Sequence, residues 1–142
     1  MPADSLAKTV DLTGQLVTLR QLSLDVLDAY LEMLADPEGQ RLTATTQTFT
    51  REKIVDWLTT RAGTAGRSDW AIFERGTKDF AGEVVLNEFD EKKNSMNLRI
   101  ALRGPNWFGR GLGGEAIQLV LEHVFNTSSL SKITLEVLVD NA

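Results

Sequence analysis

The chain has 142 residues, 42% of them hydrophobic and 25% charged, with a formal net charge of −5. That length and apolar content suit one domain with a real core and exclude global disorder, and no run approaches the ~18 consecutive apolar residues of a membrane span. With no cysteine and one histidine, disulfides, thiolate nucleophiles, zinc–cysteine sites and His-rich metal sites are all excluded.

The acidic balance argues against a nucleic-acid partner, which needs a basic surface. No basic segment followed by an apolar one opens the chain, so no secretory leader is expected and a cytoplasmic protein is the simplest expectation. Leu12 to Leu22 (LTGQLVTLRQL) alternates in the manner of a first strand. Ser23 then reads as an N-cap, with Leu24, Leu27, Leu31 and Leu34 forming a core stripe at helical spacing. That helix is predicted to stop near Asp36-Pro37, since the residue before proline avoids the helical region. Thr50 caps a second predicted helix carrying Ile54, Trp57, Leu58 and Arg61 along one side. Gly63 to Ser68 breaks the chain before two strands, Asp69 to Arg75 and Phe80 to Phe89, joined across Gly76 to Asp79 as a hairpin. Asp90 to Asn94 turns into a third strand, Ser95 to Leu102.

After RGPNWFGRGLGG comes an apolar helix to about Phe125, whose residues Ala116, Ile117, Leu119, Val120, Leu121 and Val124 point to burial on most sides. Asn126 to Ser131 ends it, and Lys132 to Val139 forms a last strand. A strand–helix–strand unit at the end implies a parallel pair. The expected fold class is therefore α/β with a mixed sheet, β-α-α-β-β-β-α-β, in one domain over residues 1–142.

The stretch that carries chemistry is Gly109-Arg110-Gly111-Leu112-Gly113-Gly114, with a helix directly behind it. Glycines allow positive φ and close approach of a ligand to the main chain, and free N–H groups at a helix start favour an anion such as phosphate. Gly109, Gly111 and Gly114 satisfy the GxGxxG of dinucleotide folds, but six residues (Arg103 to Phe108) separate them from the preceding strand, whereas that fingerprint follows its strand directly. A glycine-rich helix entry without ligand is the second reading. The third is a coenzyme A diphosphate site.

The third reading rests on a resemblance. SMNLRIAL, RGPNWFGRGLGGEA and KITLEVLVDNA resemble motif A and the start of motif B of the GNAT acetyltransferases. The run Phe108-Gly109-Arg110-Gly111-Leu112-Gly113-Gly114-Glu115-Ala116 is most similar to the RimJ/RimL-type branch, as are LTGQLVTLRQL and TREKIVDWL. The resemblance implies a GNAT-like fold and transfer of an acetyl group from acetyl-CoA to a primary amine, either a protein N-terminus or a small molecule, with no metal. Backbone groups of Ile100 and Leu102 would pair with the pantetheine arm, and the diphosphate would sit on the amides from Phe108 to Gly113, beside Gly114. Asn141 matches a family asparagine near the cofactor. Family members continue beyond the position of Ala142 into a further helix and two strands, so the resemblance implies a C-terminally truncated member. Its alternative is a catalytically impaired CoA-binding fragment. An uncovered last strand also makes a homodimer plausible.

Direct attack by an amine needs a base, and the absence of cysteine removes an acyl-cysteine route. Glu83 and Glu88 lie on the strand facing the cofactor strand, with opposite parity, so at most one faces the cleft. Glu88, nearer the strand's end, is the first choice. Arg99 and Asn97 share a face, and Arg99 is placed either to line the cleft or to pair with Glu83 or Glu88. His123 lies ~15 Å along its helix from the glycines and reads as structural. Trp57, Trp70 and Trp107 read as core or rim, with Trp107 placed to shape the acyl site, and Thr43 to Thr48 as a wall of the cleft.

Overall fold

The computed structural model describes residues 9–35, 50–63, 66–103, 107, 109–127 and 130–135. These form a single mixed sheet of six strands in chain order, with helices on both faces. The first predicted strand is two: β1 (Leu12–Thr13) and β2 (Val17–Gln21), antiparallel partners with Leu12 opposite Leu19. The chain turns at Gly14, whose N–H reaches the Val17 carbonyl at 2.8 Å.

β3 (Ser68–Glu74), β4 (Phe80–Asp90) and β5 (Ser95–Leu102) continue antiparallel as expected, and β6 (Lys132–Leu135) pairs parallel with β5, Ser95 opposite Lys132. Residues 136–139 of the predicted last strand lie outside the described residues. A dinucleotide fold would need a parallel sheet built from repeated βα units. Here only β5 and β6 run parallel among the described strands, which sets that reading aside.

The strand alternation sorts side chains into two cores. On one face Val17, Leu19, Trp70, Ile72, Val84, Leu86, Met96 and Leu98 receive Leu112, Ala116, Val120 and Val124 of α3 (Leu112–Thr127). Those four recur every fourth residue and make one stripe. Ile117, Leu119 and Leu121 are half-buried, whereas Gln118 and Glu122 are exposed and hydrogen-bond at 3.2 Å. The expectation of burial on most sides is thus corrected: the helix has a wet face.

The opposite face carries α1 (Leu27–Ala35) and α2 (Arg51–Thr60). Thr50 caps α2 as predicted, its hydroxyl accepting the Lys53 amide at 3.2 Å, and Ile54 and Leu58 are buried. Ser23 accepts from Asp25, but a 3-10 turn, Leu24–Val26, precedes α1 and shifts the helical phase. The buried residues are Val26, Tyr30 and Met33. In place of a leucine core stripe, Leu27, Leu31 and Leu34 are half-buried flanks and Leu24 is exposed. The predicted stop at Asp36-Pro37 and the segment Thr43 to Thr48 lie outside the described residues.

Candidate functional site

Main-chain geometry defines the glycine turn. Gly109 (φ 71°) and Gly111 (φ 79°) both occupy the left-handed region, which L side chains enter at a cost. Between them Arg110 is exposed and ion-paired with Glu74. The first i→i−4 bond of α3 runs from Glu115 N–H to the Gly111 carbonyl at 3.1 Å, so the preceding amides have no acceptor within the helix. Among the described residues, a Cβ added to Gly109 or Gly114 would meet no atom within 4 Å, whereas one on Gly111 would meet Leu16 at 3.3 Å. The ring of Trp107 has the guanidinium carbons of Arg110 and Arg103 at 5.0 and 5.5 Å from its centroid, placing two cations beside the turn. A helix start preceded by left-handed glycines is the kind of place where a phosphate group binds, although the Arg110 and Arg103 guanidinium groups beside it are ion-paired with Glu74 and Glu32.

The strand entering this turn offers a second feature. β5 pairs with β4 along Arg99, Ile100, Ala101 and Leu102, opposite Val85, Val84, Glu83 and Gly82. On its other side the described pairing with β6 ends at Leu98 opposite Leu135. Among the described residues, therefore, Arg99 to Leu102 have a strand partner on one side only. The residues that follow Leu135 along that side lie outside the described residues.

Beneath it lies a buried carboxylate. Glu83 is 4% exposed, its Oε2 accepting the Tyr30 hydroxyl at 2.9 Å while the Arg99 guanidinium lies 3.8 Å from Oε1. Burial raises the Glu83 pKa above the ordinary carboxylate value, opposed by the positive charge of Arg99 and the Tyr30 hydrogen bond. Burial, and next the charge of Glu83, raise that of Tyr30. Close by, Arg67 donates twice to Asp69, at 2.8 and 2.7 Å.

Sequence comparison decides what this assembly is. Residues 17–142 match the family model described as the acetyltransferase (GNAT) domain. The chain belongs to the GNAT family. One curated relative is an uncharacterized N-acetyltransferase, p20, from Bacillus licheniformis, 22% identical over 128 residues covering 88% of this chain and 71% of the relative. The fold is shared with a spermidine N-acetyltransferase from Vibrio cholerae, solved with CoA and spermine (TM-score 0.78, 20% identity, 90% of this chain and 75% of that one). It is shared also with a GNAT-family acetyltransferase from Bacillus anthracis (TM-score 0.75, 17% identity, 89% and 72%). Across these and further solved relatives the chain spans about two thirds to three quarters of the relative's length.

Within the GNAT domain the sequence-predicted residues fall as follows. Gly109, Arg110, Gly111, Leu112, Gly113 and Gly114 are contiguous at the start of α3, and Leu112 is buried beneath the turn. Ile100 and Leu102 face α3, packing against the first core, so only their backbone is offered at the strand edge. Phe108 and Asn141 lie outside the described residues.

The two candidate carboxylates sit in different settings. Glu88 is exposed and has φ 55°, in an irregularity where the register steps from Asn87–Asn97 to Asp90–Ser95. It stands opposite the start of β5, about 20 Å of strand from Leu102. Glu83, opposite Ala101, is beside the one-sided edge.

His123 packs edge-on to Trp70, ring centroids 6.0 Å apart, and burial lowers its pKa. Trp70 is fully buried, while Trp57 and Trp107 are half-buried. Tyr30 was not singled out by its position in the sequence. As the only tyrosine in the chain it was conspicuous by composition, but no local pattern pairs α1 with the middle of β4. Among the described residues, no group of three or more His, Cys, Asp or Glu side chains could hold a metal, and no helix is long and apolar enough to cross a membrane.

Proposed function

We propose that this GNAT domain is an N-acetyltransferase of the RimJ/RimL-like branch that transfers an acetyl group from acetyl-CoA to a primary amine, of a protein N-terminus or a small molecule. The observation that carries the reading is the left-handed glycine turn at the start of α3, directly behind the strand β5. The turn suits a diphosphate, and the strand before it is where the family resemblance puts the amide-bearing arm of coenzyme A. The complex of a structural neighbour with CoA and spermine supports both the donor and an amine acceptor.

Residues fit distinct tasks. Amides from Gly109 to Gly114 hold the diphosphate, with Arg110 beside them. Backbone groups of Ile100 and Leu102 fix the arm, which converts a bimolecular encounter into an oriented one. When bound, acetyl-CoA would supply a thioester carbonyl for attack by a neutral amine, the C–N bond forming as the C–S bond breaks, with the CoA thiolate leaving and the proton lost by the attacking nitrogen ending on that sulfur. Glu83 is the group that takes the ammonium proton. Burial raises its pKa above that of an exposed carboxylate, so it holds a proton more strongly than such a carboxylate does. Tyr30 and Arg99 hold that carboxylate in place.

Release of free thiol from acetyl-CoA, followed with a panel of amines, tests the proposal. Thiol release that depends on both chain and amine is the expected result. CoA binding without turnover on any amine favours the binding-only alternative, and absence of both overturns the reading.

A further inference from the structure

We infer that Glu115 is the positioning residue of the glycine turn, acting through the β1–β2 turn, and that Gly14 is glycine because of it. The inference rests on the reading of Gly109 to Gly114 as the diphosphate site.

Glu115 lies in the first turn of α3, directly after Gly114. Its Oε1 accepts two backbone amides from the far end of the chain, Leu16 at 2.8 Å and Val17 at 3.0 Å. A Cβ on Gly14 would lie 2.1 Å from that oxygen and 2.6 Å from the carboxylate carbon. Gly14 is not among the residues with positive φ, so its backbone would accept alanine. A side chain there would have to push the Glu115 carboxylate out of its place.

The β1–β2 turn is itself held from behind. Arg75 N–H reaches the Leu16 carbonyl and Arg75 Nη1 the Gly14 carbonyl, both at 2.9 Å. Leu16 also lies against the glycine turn, its Cδ1 3.3 Å from where a Cβ on Gly111 would be. The backbone N–H of Glu115 makes the first helical bond, to Gly111. One residue thus fixes where turn becomes helix and ties that point to a turn anchored on the β3–β4 hairpin.

Electrostatics give the arrangement a purpose. A carboxylate in the first turn of a helix is drawn to the same positive end as a bound diphosphate. Here its Oε1 is engaged by the Leu16 and Val17 amides, which leaves the amides of the glycine turn to the ligand.

The test compares Glu115→Ala, Glu115→Gln, Gly14→Ala and the Glu115→Ala/Gly14→Ala pair in the full chain. CoA affinity is read by calorimetry, and amide hydrogen exchange of residues 109–114 in the free protein. Glu115→Ala is expected to weaken CoA binding roughly tenfold, speed exchange across the turn and leave the KM for the amine unmoved. Glu115→Gln keeps an oxygen that accepts both amides and recovers most of the affinity. Gly14→Ala displaces the carboxylate and reproduces Glu115→Ala, and the double variant is no worse than either single one, because both remove the same interaction.

Wild-type exchange and affinity in Glu115→Ala would overturn the inference. So would a Glu115→Gln variant as weak as Glu115→Ala, or losses that add independently in the double variant. A wild-type chain that ignores CoA overturns the cofactor reading instead, and the exchange comparison then decides alone whether Glu115 orders the turn.

Discussion

Glu83 illustrates how the environment of one side chain sets its chemistry. Its carboxylate is buried between α1 and the sheet, and desolvation drives its pKa upward while Arg99 and Tyr30 restrain the rise. As the proposed base it would work deprotonated, so kcat/KM is expected to fall as pH drops through that raised pKa. Tyr30→Phe removes a hydrogen bond that favours the charged form, pushing the pKa higher still. The acid limb of the pH–rate profile is expected to move to higher pH in Tyr30→Phe and to vanish in Glu83→Gln, with kcat reduced roughly 10²–10⁴-fold.

Stability follows the same linkage. Folded Glu83 holds its proton more tightly than the unfolded chain, so its contribution is complete below the unfolded value of 4.5 and is lost as pH rises through the folded pKa. Denaturation at several pH values is expected to show Glu83→Gln gaining on the wild type across that interval. The sequence puts Glu83 and Glu88 on one strand and favours Glu88 for its place near the strand's end, whereas the proposal favours Glu83. The choice turns on an irregularity in β4 that gives Glu88 φ 55°, and on a tyrosine 53 residues away.

At the scale of elements, much was legible because it is written in local periodicity. The Thr50 cap, the β3–β4 hairpin, β5 and the helix behind the glycines all lie within a residue or two of their expected bounds. The failures share a cause: a short stretch that changes the phase. Three residues of 3-10 helix before α1 rotate its buried face onto Val26, Tyr30 and Met33, because a 3-10 turn takes fewer residues than an α turn. Gly14 splits the first strand for the sake of a carboxylate 101 positions along the chain, which no local pattern announces.

The glycines of the turn separate by the same logic. Gly109→Ala forces a Cβ into the left-handed region and is expected to cost about 1–2 kcal/mol. Gly114→Ala sits within α3 with no atom in its way, and is expected to stabilise by up to ~1 kcal/mol through helix propensity. Urea midpoints of the two variants on opposite sides of the wild type would bear this out, and equal shifts would refute it.

The whole molecule is a sheet with a division of labour between its faces. The face under α3 carries a large apolar core, and it carries the helix whose start forms the glycine turn. The face under α1 and α2 holds the polar group of Tyr30, Glu83, Asp69 and Arg99. β5 serves both, since Ile100 and Leu102 pack toward α3 while Arg99 reaches Glu83 on the other side. The backbone of one strand therefore joins the proposed cofactor turn to the proposed base.

That joint is open to direct measurement by titrating the ¹⁵N-labelled chain with CoA and following its backbone amides. The account expects the shifts to gather at Gly109 to Gly114 and at Arg99 to Leu102, with Glu88 unmoved. Turn amides that stay in place at saturating ligand, or shifts concentrated elsewhere, would contradict it.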